Sequence, residues 1–341
     1  MRGTSVLKNI NRQFLIAARP DGLLKESDFD YVETSIPEPG DGQVLVQVQM
    51  VAVEPALRGT MVEDTNNPAN LQIGDVMGAL AAGEVVESNN PDVPIGTRVQ
   101  GLFGFADYVV SHPKAFLFSV IPDGVPMEAA LYIFDTSGLT AYLGMAHVGK
   151  PQPGENVLVS GAAGAVGSIA VQLAKQAGAN VVGIAGSAEK CDWLVNDLGA
   201  DGAINYKLGD IDAQITALMP GGIDVYFDNV GGEILNAALG QIRLGSRLAM
   251  CGRISEYENT GPAYEPSNSA NIIKFCRHME RLMLFDHQDK FPAWREAMTT
   301  MIDDGSLQYR VDMLDGFENL PRGLIRLYTG ENIGKQLISI T

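Results

Sequence analysis

Between Glu155 and Lys190 the hydrophobic pattern changes from a short continuous run to helical spacing and back again. The first run is rich in Val and Leu, which predicts a buried parallel strand that ends at a glycine-rich segment. The next apolar residues recur at helical spacing, namely Ile169, Ala170, Leu173 and Ala174. Gly178 predicts the end of that helix, and Val181–Ile184 predicts a second strand. The pattern therefore predicts a βαβ unit of the dinucleotide-binding kind.

The glycine-rich segment reads GAAGAVG and forms the predicted turn between strand and helix. A pyrophosphate binds at a helix N-terminus through backbone N–H groups and the positive end of the helix dipole. Gly164 leaves room for the phosphates, and Gly167 lets the helix pack against the strand. Ala162 stands where the usual fingerprint has its first glycine, so the match is A-x-G-x-x-G. The alternative is a purely structural turn, and the predicted phosphate-binding residues are Gly164, Ala165, Val166 and Gly167.

The end of the second strand indicates which dinucleotide is bound. An NAD site usually has Asp or Glu there to bind the ribose hydroxyls, whereas this strand ends in uncharged Ala185, Gly186 and Ser187. Lys190 follows near the start of the next helix, where its ammonium suits a 2′-phosphate. Glu189 is the contrary charge, and we expect it to face solvent. The sequence predicts NADP(H), although Lys190 also fits an ordinary exposed helix lysine.

The rest of the pattern divides the chain into three parts. Residues 1–125 carry short strand candidates such as Gln43–Val53, separated by Gly, Pro and Asn, and predict a small β domain. Residues 126–297 alternate strands and helices, which predicts a doubly wound parallel sheet. Residues 298–341 end in a strand that has no neighbour in that sheet by sequence order, so we expect it to return to the first domain. The predicted fold class is α/β with a second, β-rich domain.

Three further predictions concern individual segments. One lies at the start of the second predicted domain, and two lie near the end of the parallel sheet. Met127–Gly149 has helical spacing, interrupted at Asp135–Gly138. Asn271–Arg281 is predicted to be a helix, and Leu282–Asp286 the strand that follows it.

Charge and cysteine content exclude several classes of partner. The chain has 341 residues and a formal net charge of −17, which argues against binding to nucleic acid or to an anionic membrane surface. We find no apolar run long enough to span a bilayer and no apolar core of a signal peptide. The three widely spaced cysteines suggest a reducing compartment, so we expect a cytoplasmic protein that acts on a small molecule.

Several motifs occur together and in order: GLTAY from Gly138, SGAAGAVGS from Ser160, VVGIAGSAEKC from Val181, NYK from Asn205, DVYFDNVGGE from Asp224, CGRISEY from Cys251, GFENLP from Gly316 and NIGK from Asn332. Together they resemble the zinc-free medium-chain reductases of the prostaglandin reductase (leukotriene B4 dehydrogenase) type, a group that includes curcumin reductase and alkenal double-bond reductases. The resemblance covers nearly the whole chain. It implies a GroES-like catalytic domain, a Rossmann domain, a homodimer, and reduction by NADPH of the C=C bond of α,β-unsaturated ketones and aldehydes.

The resemblance also assigns roles to individual residues. Lys190 and Tyr206 would flank the adenosine 2′-phosphate, and Asn229 would border the cofactor after the fourth strand. Asn332 would reach the cofactor from the C-terminal tail. The segment beside the nicotinamide and its ribose would contain Cys251, Gly252, Arg253, Ile254, Ser255 and Tyr257, and the backbone contacts to the nicotinamide amide would come from Leu282, Met283 and Leu284. Tyr206 could instead be a surface tyrosine, and Asn229 a turn former.

Two departures from the family pattern lie on the expected substrate side. The family usually has VDPYMR where this chain has VEPALR, so Ala56 replaces a tyrosine and Arg58 is kept. The family's GMPGLTAY reads FDTSGLTAY here, so Thr136 and Ser137 replace a Met-Pro pair. The cofactor assignment is unaffected, and the identity of the substrate is left open.

A catalytic zinc of the dehydrogenase branch needs Cys and His ligands, yet residues 1–125 contain no Cys and only His112. The reaction must therefore stabilise the enolate that forms on hydride addition by hydrogen bonding alone. Tyr257 is the predicted catalytic donor, the alternative being that it only packs on the cofactor. Two other functions share this fold and cofactor: an NADPH:quinone reductase, and a non-catalytic NADPH-binding protein.

Overall fold

The computed structural model describes residues 10–63, 69–259 and 261–341. Its strands in chain order are β1 (Asn11–Ile16), β2 (Phe29–Thr34), β3 (Val44–Ala52), β4 (Leu80–Ser88), β5 (Arg98–Leu102), β6 (Tyr108–Ser111), β7 (Ser119–Val120), β8 (Asn156–Val159), β9 (Asn180–Ala185), β10 (Gly202–Asn205), β11 (Ile223–Asp228), β12 (Ile242–Met250), β13 (Cys276–Arg281), β14 (Val311–Asp315) and β15 (Lys335–Ser339).

The helices in chain order are α1 (Arg58–Met61), α2 (Met127–Ala130), α3 (Thr136–Tyr142), α4 (Ala165–Gln176), α5 (Ala188–Asn196), α6 (Ile211–Leu218), α7 (Gly232–Gly240), α8 (Ala270–Phe275), α9 (Phe291–Asp303) and α10 (Leu320–Thr329). A π-helical segment, Leu143–Gly149, continues α3. In the described part of the chain, no helix combines the length and apolar character that a membrane crossing requires.

The chain divides into two compact units. The first contains the described residues up to Leu131 together with Met313–Thr329 and Gln336–Thr341; the second contains Tyr132–Asp312 and Gly330–Lys335. These limits differ from the predicted boundaries at 125/126 and 297/298. The second predicted boundary falls inside α9, where Met298 is fully buried in the hydrophobic core of the second unit. A helix that packs into one core cannot be divided between domains, so this unit continues to Asp312.

The first unit is built on antiparallel strands. Its large sheet has the order β14-β15-β3-β4-β5-β7, with β6 also paired to β3, and β1 and β2 form a separate two-stranded sheet. The C-terminal β15 pairs antiparallel with β3, with Leu337 opposite Ala52. Alternate residues of β3 and β4 enter a shared core with β15 and α10, because side chains alternate between the two faces of a strand.

The second unit contains a six-stranded sheet in the order β10-β9-β8-β11-β12-β13, and every pairing in it is parallel. β11 is buried at all six positions, as expected for a strand covered on both faces. Chain order reverses between β8 and β11, so the loops after these two strands diverge and leave a crevice at their carboxyl ends. This switch point of a Rossmann sheet is where ligands of open α/β sheets bind.

The local predictions at the sheet edge were partly wrong. The helix predicted over Asn271–Arg281 ends at Phe275, and the following residues form β13, while the strand predicted at Leu282–Asp286 is absent. Because β13 is an edge strand with mostly exposed polar side chains, it lacks the apolar run by which buried strands are recognised.

The interruption predicted at Asp135–Gly138 lies earlier, between α2 and α3. The Asp135 side chain accepts a hydrogen bond of 2.7 Å from the Thr136 N–H and caps α3, so the residues after it are helical. Gly138 is needed in this helix because a Cβ there would collide with the Ile133 carbonyl oxygen.

Candidate cofactor and active site

The phosphate turn connects β8 to α4 at the switch point. Gly164 is the N-cap of α4, so Ala165, Val166 and Gly167 form its first turn and their N–H groups lack partners within the helix. A Cβ on Gly167 would collide with the Gly161 carbonyl oxygen and would lie 2.7 Å from Ala162 Cα. The glycine therefore lets the helix N-terminus pack directly on the turn, as predicted from its position.

The C-terminal NIGK segment packs against this turn. The Gly334 N–H donates to the Ala163 carbonyl oxygen at 2.8 Å, and Gly334 forms a parallel bridge with Gly164. Gly334 has φ of 75°, and a Cβ there would collide with the Arg310 carbonyl oxygen. The Asn332 side chain donates to the Gly334 carbonyl oxygen at 3.0 Å, which holds this predicted cofactor residue beside the phosphate turn.

A buried carboxylate, Asp228, joins the ends of β8 and β11. Its Oδ1 accepts hydrogen bonds from Tyr226 Oη at 2.7 Å and Ser160 Oγ at 2.8 Å. It also accepts the N–H groups of Val230 and Gly231, both at 3.1 Å. Asp228 Oδ2 has no hydrogen-bond partner among the described residues, and the residue is fully buried. Burial raises the pKa of Asp228, and the four donors offset part of that effect.

Asn229 is held by the same strand end. Its N–H donates to Ser160 Oγ at 2.9 Å, and its side-chain amide donates to the Ser160 carbonyl oxygen at 2.7 Å. The N–H groups of Cys251 and Gly252 donate to the Asp228 carbonyl oxygen at 2.8 and 3.0 Å. Asp228 and Ser160 therefore bring together two predicted cofactor segments, Asn229 after β11 and Cys251 with Gly252 after β12.

The CGRISEY segment folds back onto the turn after β11. Ser255 Oγ donates to the Val230 carbonyl oxygen at 2.6 Å. Tyr257 is half-buried, and its hydroxyl oxygen accepts the Arg253 N–H at 3.3 Å while lying 3.2 Å from the position of a Cβ on Gly252. A phenol that accepts one hydrogen bond keeps its own proton for donation. Ile254 begins the short 3-10 helix Ile254–Glu256, which leads to Tyr257.

The segment after β13 contains the residues predicted to bind the nicotinamide amide through their backbone. The Leu282 N–H donates to the Met250 carbonyl oxygen at 3.0 Å. The side chains of Leu282 and Leu284 are buried, whereas Met283 between them is 41% exposed. This alternation anchors the segment in the core and leaves its backbone at the carboxyl edge of the sheet.

The residues around the end of β9, namely Gly186, Ser187, Lys190 and Tyr206, form a second polar cluster, which we call the polar corner. Ser187 is the N-cap of α5, and its Oγ accepts the Lys190 N–H at 3.2 Å. Lys190 Nζ donates to the Gly330 carbonyl oxygen at 2.8 Å. The Tyr206 ring lies 2.9 Å from the position of a Cβ on Gly186, so the ring packs closely over this strand end. Lys190 and Tyr206, the two residues predicted to flank the 2′-phosphate, thus both lie close to the end of β9.

The predicted substrate-side residues lie in different surroundings. In the first unit, Ala56 is exposed in the 3-10 helix Pro55–Leu57, whereas Arg58 is 6% exposed and donates to the Gly22 carbonyl oxygen at 2.8 Å. This contact gives Arg58 a structural role. In the second unit, Thr136 and Ser137 begin α3, and Lys335 Nζ donates to the buried Ser137 Oγ at 3.1 Å.

Sequence reasoning missed Ser160, Asp228 and Lys335, although all three lie in motifs that resemble the family. For Lys335, the available signal was its position as the first residue of the apolar run KQLIS, which predicts that the lysine side chain is buried with the strand. In the described ranges, no group of three or more His, Cys, Asp or Glu side chains could hold a metal ion.

Comparisons with known proteins agree with this geometry. The family profile described as the N-terminal domain of oxidoreductase matches residues 12–119, and the profile described as zinc-binding dehydrogenase matches residues 165–301. NADPH-dependent curcumin reductase of Escherichia coli is 32% identical over 98% of both chains. The NADP(+)-dependent 2-alkenal reductase of Nicotiana tabacum is 34% identical over 97% of this chain and 98% of its own.

The chain belongs to the zinc-independent medium-chain reductases. The crystal structure of CurA from Vibrio vulnificus in complex with NADPH has a TM-score of 0.91 and 31% identity, and covers 97% of this chain and 99% of its own. The family-level predictions of an α/β fold, of NADP(H) as cofactor and of an oxidoreductase are therefore confirmed. One family profile carries a zinc-binding description, yet residues 1–125 have no cysteine with which to form such a site.

A comparison of the wild type with Asp228→Asn measures how the buried carboxylate affects the free energy of unfolding. A raised pKa means that the folded protein binds this proton more tightly than the unfolded chain, whose carboxyl titrates near 3.8. The carboxyl therefore contributes most to stability below that value, and its contribution is lost as pH rises through the raised pKa. We expect the unfolding free energy of the wild type, relative to Asp228→Asn, to fall as pH rises from about 4 to 7.

Asp201→Asn is the matched control. Burial alone would raise the pKa of Asp201, but hydrogen bonds from Lys175 and the Val181 N–H outweigh it and lower the pKa. The folded carboxyl then titrates below its unfolded value, so the difference from wild type rises slightly between about pH 4 and 5 and stays constant above about pH 5. Urea unfolding at several pH values measures both differences. A difference for Asp228→Asn that is flat or rises with pH contradicts the assignment.

Proposed function

We propose that this protein uses NADPH to reduce the C=C bond of α,β-unsaturated ketones and aldehydes, with hydride delivered to the β-carbon. The observation that carries the proposal is the grouping of the phosphate turn, Asn229 and the Tyr257 segment at one switch point. The relatives named for curcumin and 2-alkenal reduction support the substrate class. An enone is the feature that these substrates share.

The site residues fit the cofactor. Gly167 leaves the first N–H groups of α4 in position for a pyrophosphate, and Gly334 packs closely beside them. Asn229, Cys251 and Gly252 border the crevice beyond β11, and Asn332 borders it from the C-terminal segment. Bound NADPH supplies the hydride, and the protein must stabilise the negative charge that develops on the carbonyl oxygen.

Tyr257 is the residue proposed for that role. Its oxygen is held by the Arg253 N–H at 3.3 Å, so the phenol proton is available to a substrate oxygen. The enolate carbon then takes a proton from solvent or from the phenol, which completes saturation of the double bond. Ala56, Thr136 and Ser137 are proposed to adapt the substrate side, because they replace larger or stiffer family residues.

The prediction for Tyr257→Phe separates these roles. The variant keeps the ring and removes only the donor, so NADPH affinity should stay within about twofold while turnover of an enone falls by roughly 10²–10³. A quinone accepts hydride over a lower barrier, so its turnover should fall less. The measurements are NADPH oxidation with one enone and one quinone, and cofactor affinity by fluorescence.

Other results of this comparison would indicate a different role for Tyr257 or a different function. Unchanged enone turnover removes Tyr257 from the mechanism. An equal loss with both substrates indicates a misplaced nicotinamide. Turnover of quinones alone supports a quinone reductase, and NADPH binding without turnover of either substrate supports the non-catalytic alternative.

The 2′-phosphate is proposed to lie at the end of β9, between Lys190 and Tyr206. Lys190 Nζ donates a hydrogen bond to the Gly330 carbonyl oxygen, and the Tyr206 ring is 41% exposed beside Gly186.

NADPH should bind at least about tenfold more tightly than NADH, as expected for one hydrogen bond to a charged group. Lys190→Ala should remove most of that difference, and Lys207→Ala, a neighbouring exposed lysine, should keep most of it. Equal wild-type affinities contradict the assignment.

A homodimer is proposed through the edge of the parallel sheet. β13 pairs with β12 on one side, and the apolar Ile273 and Met279 are 91% and 44% exposed at this edge. Sedimentation should give about twice the 36.5 kDa chain mass. Ile273→Asp with Met279→Asp should give monomer, whereas Leu208→Asp, beyond the opposite edge strand β10, should not. A monomeric wild type contradicts this proposal.

A cytoplasmic location is proposed from the small number and wide spacing of the cysteines in the sequence, which are Cys191, Cys251 and Cys276. Cell fractionation that places the protein outside the cytoplasm would contradict it.

A further inference from the structure

The N-terminal turn of α5 carries charges of both signs. Ser187 caps the helix, and Glu189 and Lys190 follow in its first turn. Glu189 lies four residues beyond the end of β9, near the strand end where an NAD site places its ribose-binding carboxylate. Its carboxylate would repel a 2′-phosphate. The sequence alone left this contradiction unresolved.

A cation from a distant part of the second unit reaches the same turn. Arg310, which precedes β14, places Nη2 3.5 Å from Glu189 Oε1. Its Cζ lies 5.7 Å from the ring centroid of Trp193, one turn further along α5. The guanidinium therefore lies along the face of α5 that carries Glu189 and Trp193. The Glu189 side chain is 70% exposed, as expected, and it also faces the guanidinium of Arg310.

The backbone holds Arg310 in this position. Its carbonyl oxygen accepts the Lys335 N–H at 3.0 Å, and Gly334 approaches so closely that no Cβ would fit. The Gly334 N–H in turn binds the phosphate turn through Ala163. Arg310 is therefore fixed to the same structural element that lies beside the pyrophosphate site, while its side chain remains 45% exposed.

The net charge of Glu189, Lys190 and Arg310 determines whether this turn favours a phosphate or a hydroxyl. The charges of Lys190 and Glu189 alone would cancel, which would leave little preference between a phosphate and a hydroxyl. With Arg310 included, the three side chains sum to one positive charge. A planar guanidinium also matches the geometry of a phosphate group, and a half-exposed arginine can turn from a carboxylate to a phosphate without loss of its stacking on Trp193.

We propose that Arg310 is a specificity-determining residue for the 2′-phosphate of NADPH: it neutralises Glu189 and provides the second cation beside Lys190. The proposal rests on the proposed NADPH-dependent function and names a further residue of that site. Trp193 serves as the surface on which the guanidinium is positioned. Glu189 lowers the affinity of this corner for a 2′-phosphate.

Binding measurements on the full chain test this role without reference to turnover. The probes are NADPH, NADH and 2′,5′-ADP, with affinities from fluorescence titration and calorimetry. Arg310→Gln should weaken NADPH and 2′,5′-ADP about tenfold, as expected for loss of a hydrogen bond to a charged group, and leave NADH within about twofold. Glu189→Gln should strengthen NADPH binding. Arg310→Lys should restore part of the loss, since it keeps the charge and lacks the planar fork.

Arg243→Gln is the matched control. Arg243 is also exposed and pairs with a carboxylate, Asp224, at 3.2 Å, beside the amino end of β11. Its substitution should leave all three affinities unchanged. The loss caused by Arg310→Gln should also shrink as salt rises, because exposed charges are screened.

The outcomes separate this proposal from the function on which it rests. A wild type with equal affinity for NADPH and NADH overturns the proposed cofactor function itself. A wild type that prefers NADPH, loses that preference with Lys190→Ala and keeps it with Arg310→Gln overturns only the role of Arg310. An equal loss of NADPH and NADH affinity in Arg310→Gln shows a structural role and also overturns the proposal.

Discussion

The site depends on one buried carboxylate at the switch point of the parallel sheet. Asp228 ends β11, and its Oδ1 gathers a hydroxyl from Ser160 after β8 and two N–H groups from its own turn. Its main-chain oxygen holds the N–H groups of Cys251 and Gly252 after β12. Three loops from three strands are thereby tied to one residue. A buried hydrogen-bonded group of this kind makes the surrounding loops rigid, so it can position the border of the candidate cofactor site.

Much of this architecture followed from the sequence because local rules determine it. The turn from Gly164 to Gly167 was predicted correctly, since only glycine permits the close contact seen at Gly167. The doubly wound parallel sheet was predicted because strands and helices alternate along the chain, whereas its strand order is seen only in the structure. β13 was missed because an edge strand with exposed side chains has no apolar run. Asp228 was missed because its role depends on contacts with distant residues, Ser160 after β8 and Cys251 after β12, which the fold brings together.

The cofactor side and the substrate side differ in how far sequence could predict them. The cofactor side uses backbone groups and glycines, whose requirements are visible in a motif. The substrate-side residues depend on tertiary contacts: Arg58 is buried against Gly22, and Ser137 accepts a hydrogen bond from the buried Lys335. The charge at the proposed 2′-phosphate site likewise could not be predicted from Glu189 and Lys190 alone, since Arg310 joins them only through the fold.

The central claim is that hydride passes from NADPH to the β-carbon of an enone whose carbonyl stays intact. The most direct measurement uses NADPH that carries deuterium at both C4 positions, with one cyclic enone, followed by mass spectrometry and NMR of the product. The account predicts a saturated ketone with one deuterium on the β-carbon and a hydrogen from solvent on the α-carbon. Deuterium on the carbonyl carbon of an allylic alcohol, or label absent from the product, would contradict it.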